Sequence, residues 1–302
     1  MTVERSAVVE CIPNFSEGRR PEVLEAIVAA ITSCGVKVLS VSPDTDHNRT
    51  VVTFVGGPEA VARAAILGAD VASRLIDLTQ HRGNHPRMGA VDVIPFVPIS
   101  GCDMKDCVAI AKQVGHEIGN SLGIPVFLYE DAATRPDRRN LADVRRGEFE
   151  GLRDRIGTDP DRIPDFGPNR IHPTAGCVAV GARMPLIAFN VNLGTADLEI
   201  AKKIAKAVRG SSGGLVGCKA LGIALAERNQ VQVSMNMVNH KDTPLHRAFE
   251  LIRLEAERYG VPIVGSEVIG LIPLEALVSV ARHYLRFEAF KSDQVLEQRL
   301  ME

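Results

Sequence analysis

Gly83-Asn84-His85-Pro86-Arg87-Met88-Gly89-Ala90-Val91-Asp92-Val93-Ile94-Pro95-Phe96-Val97-Pro98 opens polar and turn-forming and closes as an apolar, β-branched run. That change of character reads as a loop feeding a strand. Pro86 biases His85 away from helical φ/ψ, so the imidazole stands on extended or turning backbone. Gly83 and Gly89 bracket the segment and permit tight turns or the close approach of a ligand. A histidine and an arginine are thereby held near each other on a loop beside a strand, where binding and catalytic groups concentrate. A turn with a surface histidine accounts for these residue types equally well.

Working outward, Ala7 to Ile12 reads as a strand stopped by Pro13. A helix opens near Pro21 and carries Val23, Leu24, Ile27, Val28 and Ile31 at helical spacing. Strands are expected at Val36 to Val41 and Thr50 to Val55, with helices from Pro58 to Asp77 and from Met104 to Leu122. Ile124 to Tyr129 is a further strand, and Leu141 to Ile156 a charged surface helix. The opening order is β-α-β-β-α-β, a split βαβ that implies an open sheet with helices on one face. The second half repeats it: Pro185 to Val191, Ala196 to Val208, Lys219 to Leu225, Gln230 to Met237, a helix Pro244 to Tyr259 capped by Thr243, Val261 to Val268, and a last helix Pro273 to Tyr284. The fold class is therefore α/β (α+β), with two subdomains of ferredoxin-like order, each a mixed sheet. Residues 1–180 and 181–302 are the expected domains, a division that suits 302 residues.

Composition excludes several classes. The net charge of -2 leaves no broad basic footprint for nucleic acid, and aromatics are only 4%, too few for base-stacking platforms. No apolar run reaches the roughly 18 residues of a membrane span, and Met1 to Ser6 lacks the core of a signal peptide. Cys11, Cys34, Cys102, Cys107, Cys177 and Cys218 form no Cys-x-x-Cys pair, so reduced thiols in a cytoplasmic setting are expected. His81 and His85 have the His-x-x-x-His spacing of helical metal ligands, but Gly83 inside and Pro86 after it argue against a helix, and no metal is expected. Asp44, Asp46, His47, Asn48 and Arg49 crowd one turn. A solvated turn explains them, and so does an acid that orients an imidazole elsewhere. Gly210 to Gly214 lacks the Walker pattern and reads as a connecting loop. Ile163 to Gly176 is rich in proline and glycine, yet it carries Arg170 and His172, donors that a mere linker does not require.

Several of these stretches resemble one family in order. Val9-Glu10-Cys11-Ile12-Pro13-Asn14-Phe15-Ser16-Glu17-Gly18, Asn48-Arg49-Thr50, His85-Pro86-Arg87-Met88-Gly89-Ala90, Asp165-Phe166-Gly167, Ala188-Phe189-Asn190-Val191-Asn192-Leu193, Gln232-Val233-Ser234 and Val264-Gly265-Ser266 are similar to glutamate formimidoyltransferase. The resemblance runs over nearly the whole chain and is to a stand-alone form without a fused cyclodeaminase. It implies a ligand tunnel between two subdomains and a homodimer. It implies transfer of a formimino group from N-formimino-L-glutamate to N5 of tetrahydrofolate, with folate as co-substrate and no metal. It places the catalytic histidine on His85. The folate-contacting loop falls on Gly167, Pro168, Asn169, Arg170, Ile171, His172, Pro173, Thr174, Ala175 and Gly176. An aspartate that animal members place near the histidine aligns to Ser42, leaving Asp44 or Asp46 for its role.

The chemistry asks for a proton carrier and for cations. One imidazole can take the proton from N5 and return it to the leaving nitrogen. Arg49, Arg87, Arg170 and Arg183 are the candidates for substrate carboxylates, with His172 a second shuttle or a folate donor. Formyl transfer on the same scaffold and a non-catalytic folate-binding module are the competing readings.

Overall fold

The computed structural model describes residues 7–300. The chain divides into two units, Met1–Arg183 and Met184–Glu302. In the first, the elements are β1 (Val8–Cys11), β2 (Asn14–Phe15), α1 (Pro21–Thr32), β3 (Lys37–Asp44), β4 (Arg49–Gly56), α2 (Pro58–Leu75), β5 (Val91–Ser100), α3 (Met104–Ser121), β6 (Val126–Glu130), α4 (Leu141–Val144), α5 (Glu148–Arg155) and β7 (Val178–Ala182). β1 and β2 are one strand line broken at Ile12-Pro13, since proline has no N–H for the ladder. Both halves pair antiparallel with β4 on one side and β5 on the other. The sheet runs β3, β4, β1 with β2, β5, β7, β6. Its first part is the ferredoxin-like arrangement that the opening β-α-β-β-α-β order implies. β7 and β6 extend it as strands parallel to β5, so the sheet is mixed.

Helix periodicity explains how one face is covered. α1 opens on Pro21 and buries Val23, Ile27 and Ile31 at intervals of four. α2 buries a stripe of small residues, among them Ala62, Ala65, Ala69 and Ala72. α3 starts at Asp103, whose carboxylate accepts from the N–H groups of Lys105 and Asp106, while Asp106 accepts from the N–H of Asp103. These helices pack with Ile94, Phe96, Val126, Leu128, Val178 and Val180. The opposite face at the β6–β7 end is also covered. Val93, Phe127, Tyr129 and Ala179 are packed there by Val144, Leu152 and Ile156. The expectation of helices on one face is therefore corrected for this unit. The single surface helix expected over Leu141 to Ile156 is broken into α4 and α5 at Gly147, whose φ of 97° is left-handed. Its apolar side is buried.

The second unit holds β8 (Ile187–Leu193), α6 (Leu198–Val208), β9 (Cys218–Leu225), β10 (Gln230–Met237), α7 (Leu245–Arg258), β11 (Ile263–Ile269), α8 (Leu274–Leu285) and α9 (Leu296–Leu300). The sheet order is β11, β8, β10, β9, again ferredoxin-like, and every pairing is antiparallel. A mixed sheet was the expectation here. It fails because each helix returns the chain to a strand running the same way as the one before, and an oppositely directed strand always lies between such a pair. Period-two alternation sends Ile187, Phe189, Val191 and Leu193 into the core with Val231, Val233, Met235 and Met237. The alternate residues form a polar row, in which Gln232 Nε2 donates to Asn192 Oδ1 and Glu267 Oε1, both at 2.8 Å. α7 begins after Pro244, and Thr243 does not cap it: its hydroxyl donates to Val216 O at 2.6 Å, fastening the loop before β9. Among the described residues no helix is long and apolar enough to cross a membrane.

Asp103→Ala removes the two bonds that its carboxylate accepts from Lys105 and Asp106 at the head of α3, whose buried face joins β5, β6 and β7, and leaves the N–H of residue 103 bonded to Asp106. A loss of about 1 kcal/mol in unfolding free energy is expected, read from the denaturant midpoint. An unchanged midpoint contradicts this role.

Candidate active site

The site grows from Asp92, an acid inside the apolar run of β5 and only 1% exposed. Its Oδ1 accepts the N–H of Met88 at 2.9 Å and so fixes the loop that carries His85. Its Oδ2 accepts from Arg49 Nη1 at 3.1 Å and from Arg145 Nη2. Arg49 enters from the start of β4, and Arg145 from the break between α4 and α5. Arg49 is held further by Asn14 Oδ1 from β2, which accepts from both Nε and Nη2. Its Nη1 also lies 2.6 Å from His85 Nδ1.

His85 Nδ1 has a second neighbour, the carbonyl of Pro86 at 2.7 Å. A ring nitrogen serves one of these at a time. It accepts from the guanidinium with the ring proton on Nε2, or it donates to the carbonyl and frees the Nε2 lone pair. Burial, with the charge of Arg49 beside it, pushes the His85 pKa down to about 4, against the pull of the Pro86 carbonyl and Asp92. The imidazole is neutral at pH 7. Burial pulls Arg49 down to about 10, Asp92 opposing, so the guanidinium stays charged.

The loop of residues 167–176 is stitched to this segment. Ala90 N donates to Ala175 O and Cys177 N to Met88 O, each at 2.9 Å. Gly89 pairs with Gly176 as a bridge. A side chain at Gly89 would put its Cβ 2.0 Å from the carbonyl oxygen of Cys177. The two candidate stretches therefore meet within the first unit. Ala175 and Gly176 are buried in the junction; Gly167, Asn169, Arg170 and Pro173 stay exposed, and Pro168, Ile171, His172 and Thr174 are half-buried. His172 Nδ1 accepts the N–H groups of Ala175 and Thr174, at 3.0 and 3.4 Å, which leaves the ring proton on Nε2. That suits a hydrogen-bond donor better than a proton shuttle.

Other candidates are occupied elsewhere. Arg87 is saturated by Glu148 and Glu150, with Nε donating to His81 Nδ1 at 3.2 Å. His81 Nε2 meets Asn48 O at 2.9 Å, so both nitrogens of that ring are committed to the loop. Among the described residues no group of three or more histidines, cysteines and acids is placed to hold a metal. Asp44 pairs with His47, its Oδ2 2.8 Å from Nδ1, and not with His85. The acid connected to His85 is Asp92, through Arg49. Arg183 lies beside Tyr129 and Glu10 further along the sheet.

Residues 8–183 match the formiminotransferase domain, N-terminal subdomain, and residues 188–300 match the formiminotransferase domain. The chain belongs to the formiminotransferase family. It is 54% identical to the glutamate formimidoyltransferase of Streptococcus pyogenes serotype M1, over 97% of this chain and 99% of that one. The glutamate formimidoyltransferase of Thermoplasma acidophilum is 48% identical over 97% of each chain. The formimidoyltransferase-cyclodeaminase of Mus musculus is 43% identical over 92% of this chain and 52% of its own length. In this formiminotransferase chain the stretches that carry the family likeness lie on the pieces just described: Asn14 on β2, Arg49 at the head of β4, and the His85 loop.

Two members of the cluster were not singled out from sequence. Asp92 had a signal, a lone carboxylate within Val91-Asp92-Val93-Ile94, since a charge in a buried run needs partners. Arg145 had none, being one of many arginines in a charged segment.

Titration of the His85 ring, followed by NMR on the unliganded protein, is expected near 4, with Arg49→Gln moving it up toward the ordinary 6.5. The charged form appears only below the lowered value, so base competence extends into acid. A wild-type titration at 6.5 contradicts the geometry.

Proposed function

We propose that the chain transfers the formimino group of N-formimino-L-glutamate to N5 of tetrahydrofolate, with His85 as the proton carrier. Membership of the formiminotransferase family, with close relatives named glutamate formimidoyltransferase, supports the reaction. The observation that carries the role of His85 is its neutral ring, anchored at Nδ1 and flanked by Arg49.

The N5 lone pair attacks the formimino carbon, and the π pair of the C=N bond moves onto the imino nitrogen. With Nδ1–H donating to Pro86 O, Nε2 takes the proton that N5 sheds. The imidazolium so formed stands against Arg49 and is a strong acid. It returns the proton to the glutamate nitrogen as the pair on the imino nitrogen re-forms the C=N bond and the C–N bond to glutamate breaks, giving 5-formimidoyltetrahydrofolate and L-glutamate. A group with a depressed pKa is poorly suited to hold the proton and well suited to pass it on. The exposed residues of the 167–176 loop are the folate contacts in this reading, with His172 Nε2–H a donor to the ring system. A homodimer in the cytoplasm and tetrahydrofolate as co-substrate belong to the same reading.

Turnover of N-formimino-L-glutamate with tetrahydrofolate by wild type is the test, beside His85→Ala. The variant is expected to stay folded and to lose about 10²–10⁴-fold in kcat. Full activity in His85→Ala removes the histidine from the chemistry. Absence of wild-type turnover with this donor removes the proposed reaction.

A further inference from the structure

The two arginines that share Asp92 are not equivalent. Arg49 has Nε, Nη1 and Nη2 engaged by Asn14, Asp92 and His85. Arg145, equally withdrawn from solvent at 14% exposure, has a single side-chain hydrogen-bond partner among the described residues, Asp92 Oδ2. Its Nε is buried with no partner among them. An arginine carries five N–H donors in a planar fork, and leaving them buried and unmet is costly. The charge is unbalanced too. Two guanidinium groups face one carboxylate, and the neighbouring imidazole is neutral, so one positive charge is surplus beside His85.

We propose that Arg145 binds the α-carboxylate of the formimino donor. This deepens, and rests on, the reading of His85 as the proton carrier of formimino transfer. The leaving nitrogen that receives the proton from His85 is bonded to the α-carbon of glutamate. Its α-carboxylate is therefore two bonds from the atom that must reach the imidazole. The carboxylates of folate are separated from N5 by the whole p-aminobenzoyl spacer, so the anion expected beside His85 is that of the donor. Arg145 reaches the same oxygen of Asp92 as Arg49, and Arg49 touches His85, so a carboxylate on its remaining N–H groups lies next to the reacting centre. Such a carboxylate supplies the missing negative charge and the acceptors that the fork lacks. A bidentate pair also selects an amino-acid donor over a simple formamidine.

The test compares wild type, Arg145→Gln and Arg145→Lys on N-formimino-L-glutamate and on its α-carboxamide, by steady-state kinetics and by equilibrium binding of each donor. Arg145→Gln is expected to raise the KM and Kd for the carboxylate donor about 10- to 100-fold, as a lost charge-assisted hydrogen bond predicts. The KM for tetrahydrofolate stays unchanged. Arg145→Lys keeps the charge without the fork and falls between. On the carboxamide the wild type is already weakened, and the substitutions add little. An equal loss on both donors, or no loss on either, overturns the assignment; the first means that Arg145 only steadies Asp92. Wild type that binds N-formimino-L-glutamate without turnover overturns the catalytic reading alone, and the binding contrast still decides for or against Arg145. If Arg145→Gln does not fold, Arg145→Lys carries the same contrast.

Discussion

The carboxylate of Asp92 is the constraint on which the rest of the site depends. It is removed from water on a central strand, where an unpaired charge costs several kcal/mol. Three groups from three parts of the chain meet that cost: the N–H of Met88 from the His85 loop, Arg49 from β4, and Arg145 from the α4–α5 break. Each partner is thereby located. The loop that carries His85 is tied down at its end, where it enters β5, and the guanidinium that flanks the ring is held in place. α4 and α5, which pack on the face opposite the long helices, bring Arg145 within reach.

Electrostatics follows from that arrangement. A half-buried histidine beside a guanidinium favours the neutral ring, and the two neighbours of Nδ1 offer it either tautomer. In the proposed reaction this ring is a weak base that becomes a strong acid once charged, which is what transfer between two nitrogens requires. The second strip, residues 167–176, is built from turns bonded to the same loop. In the proposed reading, folate contacts on this strip would take their position from the strand that carries Asp92.

Much of the framework was legible because its signals are local. Proline-opened helices, the alternation in β8 and β10, and the β-α-β-β-α-β order define both sheets. β7 escaped notice. Val178-Ala179-Val180-Gly181-Ala182 is a short apolar run between parallel strands, buried on both faces, and shows no alternation to mark it. The direction of strand pairing in the second sheet and the covering of both faces of the first are tertiary facts. At the site, His85 and the 167–176 loop stood out by residue type and resemblance. The assignment of Arg87 to substrate did not survive its contacts, since Glu148 and Glu150 come from a helix whose packing no local pattern announces. Asp44 was near in sequence to a plausible role but turns back on His47.

The most direct measurement is the unfolding free energy of Asp92→Asn against wild type, by denaturant titration. The substitution keeps the shape of the side chain and removes its charge, leaving Arg49 and Arg145 buried against each other. A loss of about 3–5 kcal/mol is predicted, the cost of breaking a buried ion pair from one side. A loss within about 0.5 kcal/mol, the range of a surface substitution, would contradict the account, because the His85 loop would then not depend on this carboxylate.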